Sequence, residues 1–157
     1  MGHRALCSMP MSYALRDMTN WNERNRSVIE QFRAGGGKAG ARPLLLLTTT
    51  GARSGRPHTT PLMYLADGDS FAVIASKGGD PRHPDWYRNL VANPTVRVEV
   101  GGEDFETEAR VADPEERDRL FALQAARYSF FAGYQDKVKR RIPVVVLARK
   151  PSSRRPA

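Results

Sequence analysis

The stretch Thr95-Val96-Arg97-Val98-Glu99-Val100-Gly101-Gly102-Glu103-Asp104-Phe105-Glu106-Thr107-Glu108-Ala109-Arg110-Val111 reads as a β-hairpin. Gly101 and Gly102 supply the turn between two strand-forming runs. In the second arm Phe105, Thr107, Ala109 and Val111 alternate with Asp104, Glu106, Glu108 and Arg110. A period of two means one buried face and one wet face. Downstream, Asp113 and Pro114 stand where an N-cap and a first helical residue belong, and Glu115 and Glu116 suit the positive helix end. A helix to about Ala126 is predicted, then an aromatic segment over 128–134, then a last strand over 143–148.

Upstream, residues 84–92 read as a short helix closed by Asn93 and Pro94. Three strand runs precede it, at 43–50, 58–65 and 70–76. Asp67, Gly68 and Asp69 form a tight turn, so the latter two runs are expected to pair as a hairpin. Residues 19–34 show a helical pattern, with Asn20 and Glu23 placed as a capping box and Trp21, Val28, Ile29 and Phe32 along one face. Gly35, Gly36 and Gly37 end it. Such a stripe serves for packing on the domain or for lying on a membrane surface, and packing is its ordinary use.

Five or six short strands, mostly hairpin-linked, with helices at the periphery give a mainly β (α+β) class and a small barrel of about six strands. Helices do not alternate with strands, which disfavours a βαβ fold. No G-x-G-x-x-G follows a strand and no Walker sequence occurs, so ordinary dinucleotide and P-loop binding lose their support. Without repeats or an interior linker, residues 19–149 form one domain that includes the amphipathic helix. Residues 1–18 read as a disordered tail, and 150–157 as a basic one containing Arg154 and Arg155.

The 157 residues, 40% hydrophobic and 27% charged, suffice for one soluble domain with its own core. The single cysteine, Cys7, excludes an internal disulfide framework and favours a cytoplasmic setting. No apolar run reaches the ~20 residues of a spanning helix. Ser8, Pro10 and Ser12 interrupt any secretion signal, and Met9, Met11 and Met18 leave open a later translation start. The net charge of +8 is the informative quantity, because it attracts anions: nucleic acid, acidic lipid or a phosphorylated small molecule.

Between the first two strands, Gly51-Ala52-Arg53-Ser54-Gly55-Arg56-Pro57-His58 offers backbone amides, a hydroxyl and two guanidinium forks. These are the parts of an anion site, and equally of a solvated turn. Ser76-Lys77-Gly78-Gly79 places a second hydroxyl and cation at another strand end, and in a hairpin-linked barrel two such loops can face one cleft. Trp86, Tyr87 and Asn89 add an aromatic surface and an amide, although a tryptophan is more often a core anchor. Tyr128, Phe130, Phe131 and Tyr134 can sandwich a flat substrate or pack on the barrel. His3, His58 and His83 have no metal-binding spacing, and no serine sits in a nucleophile elbow, so neither a metal site nor a hydrolytic triad is expected. The residues add up to a cleft for a flat, anionic ligand.

Four ordered motifs carry a resemblance over residues 44–147: Leu45-Leu46-Leu47-Thr48-Thr49-Thr50-Gly51 with Arg53-Ser54-Gly55; Ser76-Lys77-Gly78-Gly79; His83-Pro84-Asp85-Trp86-Tyr87-Arg88-Asn89-Leu90; and Ile142-Pro143-Val144-Val145-Val146-Leu147. In these the chain resembles the deazaflavin-dependent nitroreductase family. The resemblance implies a split β-barrel binding coenzyme F420, an 8-hydroxy-5-deazaflavin with a phosphate and an oligoglutamate tail. It implies coenzyme contacts at Ala52, Arg53 and Ser54; at His58, Thr59, Thr60, Pro61, Leu62 and Met63; at Ile74, Ala75, Ser76 and Lys77; and at Trp86, Tyr87, Arg88 and Asn89. Hydride transfer to an electrophilic organic acceptor is the implied reaction, the cofactor carrying the hard chemistry. Ser76, Tyr128 and Tyr134 are the implied catalytic residues, and Tyr128, Phe131 and Tyr134 the implied substrate contacts.

One departure bears on the acceptor. The nitroimidazole-reducing branch carries tyrosine where this chain has Phe131 and proline where it has Ser129. Phenylalanine donates no hydrogen bond to a nitro group. Quinones or conjugated enones are therefore expected ahead of nitroaromatics. The amino-terminal helix of some relatives associates with membrane, so a cytoplasmic protein, peripheral at the inner membrane face, is the corresponding location. Three rivals stand beside this reading: a flavin-mononucleotide split barrel, a non-catalytic deazaflavin carrier, and a basic nucleic-acid binder, the last weakened by dispersed charge and the lack of a recognition motif.

Overall fold

The computed structural model describes residues 25–37 and 43–149. Helical residues 25–34 (α1) precede strands β1 (Leu44–Thr50), β2 (Pro57–Met63), β3 (Leu65–Asp67) and β4 (Ser70–Ile74). A 3-10 turn at Lys77–Gly79 and helix α2 (Asp85–Ala92) lead to β5 (Thr95–Val100) and β6 (Glu103–Val111). Helices α3 (Pro114–Arg127) and α4 (Phe130–Lys137) and strand β7 (Val144–Ala148) complete the described residues. All sheet neighbours are antiparallel, in the order β2-β1-β5-β6-β7-β4-β3.

Strand β6 makes the sheet curl. Its first six residues pair with β5, from Val100↔Glu103 to Thr95↔Glu108, while Ala109, Arg110 and Val111 pair with β7. One strand thus belongs to two differently oriented sheets, and the half-barrel between them is filled by side chains. A first core gathers Leu45, Leu47, Phe71, Val73, Trp86, Leu90, Val96 and Val98 inside the curl. A second, with Leu120, Phe121, Phe131, Ile142 and Val144, lies under α3 and α4. Each large apolar side chain sealed in these cores contributes about 1.5–3 kcal/mol.

The hairpin over residues 95–111 has the expected boundaries. The wet-and-dry alternation of its second arm holds through Thr107 and half-buried Ala109, but Val111 is 42% exposed. Asp113 caps α3, its carboxylate accepting from the Glu116 amide at 2.8 Å, with Pro114 at the start. The described residues form seven strands, one more than the approximate count expected for the split barrel. The run 58–65 is two strands broken at Tyr64: β2 pairs with β1, and only Leu65–Asp67 forms the expected hairpin with Ser70–Ala72.

The expected start of α1, including Asn20, Trp21 and Glu23, lies outside the described residues, as do Cys7 and both proposed tails. Its end is described: Gly37 donates to Phe32 O at 2.8 Å, closing the helix in a left-handed turn. A Cβ on Gly37 would stand 2.7 Å from the Gly102 amide nitrogen, so glycine is what lets this turn sit on the β5–β6 turn. Arg33 adds a bidentate pair to Glu99, at 3.1 and 2.7 Å. No helix among the described residues is long and apolar enough to cross a membrane.

Candidate active site

The strand order decides which loops meet. From β1 through β5, β6 and β7 to β4 every step is antiparallel, so β1 and β4 run in the same direction. The loops after them, 51–56 and 75–84, therefore emerge at one end of the half-barrel. The β5–β6 turn that receives α1 is at the other end.

Loop 51–56 is closed by its own hydrogen bonds. Gly51 N donates to Arg56 O at 2.8 Å, Gly55 N to Gly51 O at 3.0 Å, and Arg56 N to the Ser54 hydroxyl at 3.1 Å. The same Ser54 hydroxyl lies 3.5 Å from His58 Nε2, a long hydrogen bond that ties the loop to β2. Asn89, 8% exposed on α2, ties the loop to the barrel. Its Oδ1 accepts from Ala52 N at 3.0 Å and its Nδ2 donates to the Thr49 hydroxyl at 3.1 Å. Both ends of the amide are thus engaged within the protein, which makes Asn89 an anchor of the loop.

In the second loop Ser76 is right-handed (φ −80, ψ −34), while Lys77 (φ 48) and Gly78 (φ 62) are left-handed. That succession turns consecutive N–H groups toward one point, a nest for an anion. The amides of Ser76, Lys77 and Gly78 make no hydrogen bond among the described residues, nor does the hydroxyl of Ser76, a residue 7% exposed. A left-handed lysine costs about 1–2 kcal/mol, so its surroundings must hold it there. Part of that hold comes from α4. A Cβ on Gly79 (φ 85) would meet Lys137 Cδ at 2.9 Å and Tyr134 Cα at 3.4 Å, so the turn packs directly on that helix.

Arg53, Arg56, Lys77 and Arg88 are exposed and form no ion pair among the described residues. Arginines 33, 82, 97, 110, 117, 119, 141 and 149 each face a carboxylate. An end of the barrel with unneutralised cations and three unused amides has the donor set that a phosphorylated, carboxylate-bearing cofactor requires. An open groove of about 360 Å³ between Thr48, Pro57, Asn93, Arg97 and Glu106 contains none of the predicted site residues. Its arginine, Arg97, is already paired with Asp104 at 2.9 Å.

Other predicted residues separate by environment. On β2 the pleat divides them: His58, Thr60 and Leu62 lie opposite Thr49, Leu47 and Leu45 and share their inner face, while Thr59, Pro61 and Met63 point to the other. Thr59 spends its hydroxyl on Thr48 at 2.8 Å. Ile74, Ala75 and Trp86 are buried in the cores, so their side chains support the site from beneath. Tyr87 is half-buried, its ring 4.7 Å from that of His83. Phe131 is 6% exposed within the second core, while Tyr128 and Tyr134 lie half-buried at its edge.

Two residues at this end escaped the sequence reading. Lys137 lies against Gly79, and Arg140 donates to the carbonyls of Ala75, Ser76 and Asp80 and to His83 Nδ1. Burial, followed by the charges of Arg140 and Arg88, pushes the His83 pKa below its ordinary value. The only sequence trace of either residue is the basic run Lys137, Lys139, Arg140, Arg141 before β7.

The family model described as F420H(2)-dependent quinone reductase matches residues 21–149. The F420H(2)-dependent quinone reductase Rv1261c of Mycobacterium tuberculosis is 48% identical over 117 residues, covering 71% of this chain and 76% of that protein. A solved F420-H2 dependent reductase, FDR-A, is 45% identical with a TM-score of 0.63, over 68% of this chain and 94% of its own. Another solved chain, described as a domain-swapped dimer, is 39% identical with a TM-score of 0.65, over 88% and 98%. The chain belongs to the F420H(2)-dependent quinone reductase family, split-barrel oxidoreductases whose cofactor is coenzyme F420.

Proposed function

We propose that the end of the half-barrel bearing loops 51–56 and 75–84 binds F420 and presents it to a quinone. The observation that carries this reading is the coincidence of unpaired Arg53, Arg56, Lys77 and Arg88 with the unused amides of Ser76, Lys77 and Gly78. The cations attract the tail carboxylates and the nest takes the phosphate. Tyr87 supplies an aromatic edge for the ring. When bound, the reduced coenzyme supplies a hydride. The remaining work falls to the protein: Ser76 orients the reacting ring or acceptor, and Tyr128 and Tyr134 line the acceptor side and hand a proton to the developing quinol oxygen. A quinone needs one hydride and one proton to become a hydroquinone, so phenols suffice and nothing further is asked of Phe131.

The test separates binding from turnover. Tyr128→Phe and Tyr134→Phe should leave F420 affinity intact and slow quinone reduction. Arg53→Ala and Arg56→Ala should weaken F420 binding and flatten its dependence on salt, since exposed charges are screened within ~10 Å at 0.1 M ionic strength. Equal losses of affinity and turnover in the tyrosine variants would sink the assignment.

A further inference from the structure

We propose that Arg140 is a positioning residue for the coenzyme site, one guanidinium that holds the Ser76 turn and the entry to α2 at a fixed separation. The proposal rests on the F420 reading of that site. Arg140 sits in the segment before β7. Its Nε donates to Asp80 O at 3.1 Å, and its Nη2 to Asp80 O at 2.9 Å and Ser76 O at 3.1 Å. Its Nη1 reaches Ala75 O at 3.3 Å and His83 Nδ1 at 3.1 Å. The three carbonyls bracket the left-handed Lys77, so the arginine closes the strained turn through its carbonyls while the amides of Ser76, Lys77 and Gly78 make no bond among the described residues.

The fourth partner extends the hold to α2. A guanidinium only donates, so His83 Nδ1 accepts and the ring proton stays on Nε2. That neutral ring lies against Tyr87, whose side chain packs on the first core. His83 is faced by Arg140, Arg88 and Tyr87, and the charges that act on it are those of the two arginines. One cation therefore sets both walls of the cradle, the amide nest and the aromatic edge, before any ligand arrives. Lysine cannot substitute, because a single ammonium lacks the planar fork that reaches four partners at once.

If the competent cradle falls to about a tenth of the population, apparent affinity falls about tenfold. The experiment compares wild type, Arg140→Met, Arg140→Lys and Arg117→Met. Arg117 is a half-buried arginine of α3 that bonds Ile142 O and Gln135, and Gln135 in turn donates to Arg140 O, so its variant reports a loosened segment around Arg140 with the Arg140 guanidinium still present. Two quantities are read: F420 affinity by fluorescence titration, and the tautomer and pKa of His83 by nitrogen NMR in the ligand-free protein.

The expected result is a loss of F420 affinity of about tenfold or more in both Arg140 variants and not in Arg117→Met, with the His83 pKa raised and its single tautomer lost. Wild-type affinity with an unmoved His83 in Arg140→Met overturns the proposal, as does an affinity loss in Arg117→Met matching that in Arg140→Met at equal melting temperature. Should Arg140→Met not fold, Arg140→Lys carries the same two readouts. If wild type does not bind F420, the coenzyme reading fails, while the NMR comparison still decides whether Arg140 sets His83 and its turn.

Discussion

Asn89→Ala tests how loop 51–56 is held. The substitution removes the acceptor for Ala52 N and the donor to Thr49. Ala52 is exposed, so its amide regains water at little cost, but Thr49 is 1% exposed and its hydroxyl is left with nothing. A buried polar group without a partner costs about 1–3 kcal/mol. For a chain of this size about 2–4 °C of melting temperature corresponds to 1 kcal/mol, so a fall of roughly 2–12 °C is expected. Thr49→Val strands the Asn89 donor and should cost a similar amount. The double variant removes both partners, so its loss should fall short of the sum by about 1 kcal/mol or more. The two single variants should diverge in F420 titration, because Thr49→Val keeps the Oδ1 tether to Ala52 and Asn89→Ala loses it. Only Asn89→Ala should bind the coenzyme more weakly. Additivity within about 0.3–0.5 kcal/mol, or equal affinities, would refute the reasoning.

Further outcomes follow from other positions. Lys77→Gly relieves a left-handed φ of 48 while freeing the unfolded chain, so stability should change by less than about 1 kcal/mol as F420 affinity drops; denaturant unfolding beside a titration checks both. Gly37→Ala drives a Cβ to 2.7 Å from backbone at φ 99, and should cost roughly 2 kcal/mol or more, seen as earlier protease cutting of α1. The His83 pKa lies below its ordinary value of 6.5, so between the two values the unfolded chain holds a proton that the folded chain lacks. The resulting stability is present above pH 6.5 and lost as pH falls toward the folded value; urea melts across that window should show a slope that His83→Gln abolishes.

What the sequence discloses about this fold is local. The hairpin over 95–111 and the start of α3 are legible because the alternation, the paired glycines and the Asp113–Pro114 cap each act within a few residues. The break at Tyr64 is not, because it exists only once β2 has joined β1 and β3 has joined β4, and Tyr64 N is held by Pro43 O at 3.3 Å. Among the candidate site residues, glycines and unpaired cations are visible as types, so both loops could be named. Burial was not legible at Ile74 and Ala75, which lie in the cores, whereas Trp86 lies in the first core as its alternative reading as an anchor expects. Arg140 is hidden for the same physical reason, since its partners lie 57 to 65 positions away and no local pattern joins them.

The most direct test is an equilibrium titration of the purified protein with F420, read by the coenzyme's own fluorescence, with flavin mononucleotide as competitor. Saturable F420 binding is expected, weakening as salt rises and resisting displacement by excess flavin mononucleotide. Displacement by flavin mononucleotide, or binding of it in preference to F420, would contradict the assignment of the unpaired cations and the Ser76 nest to the deazaflavin coenzyme.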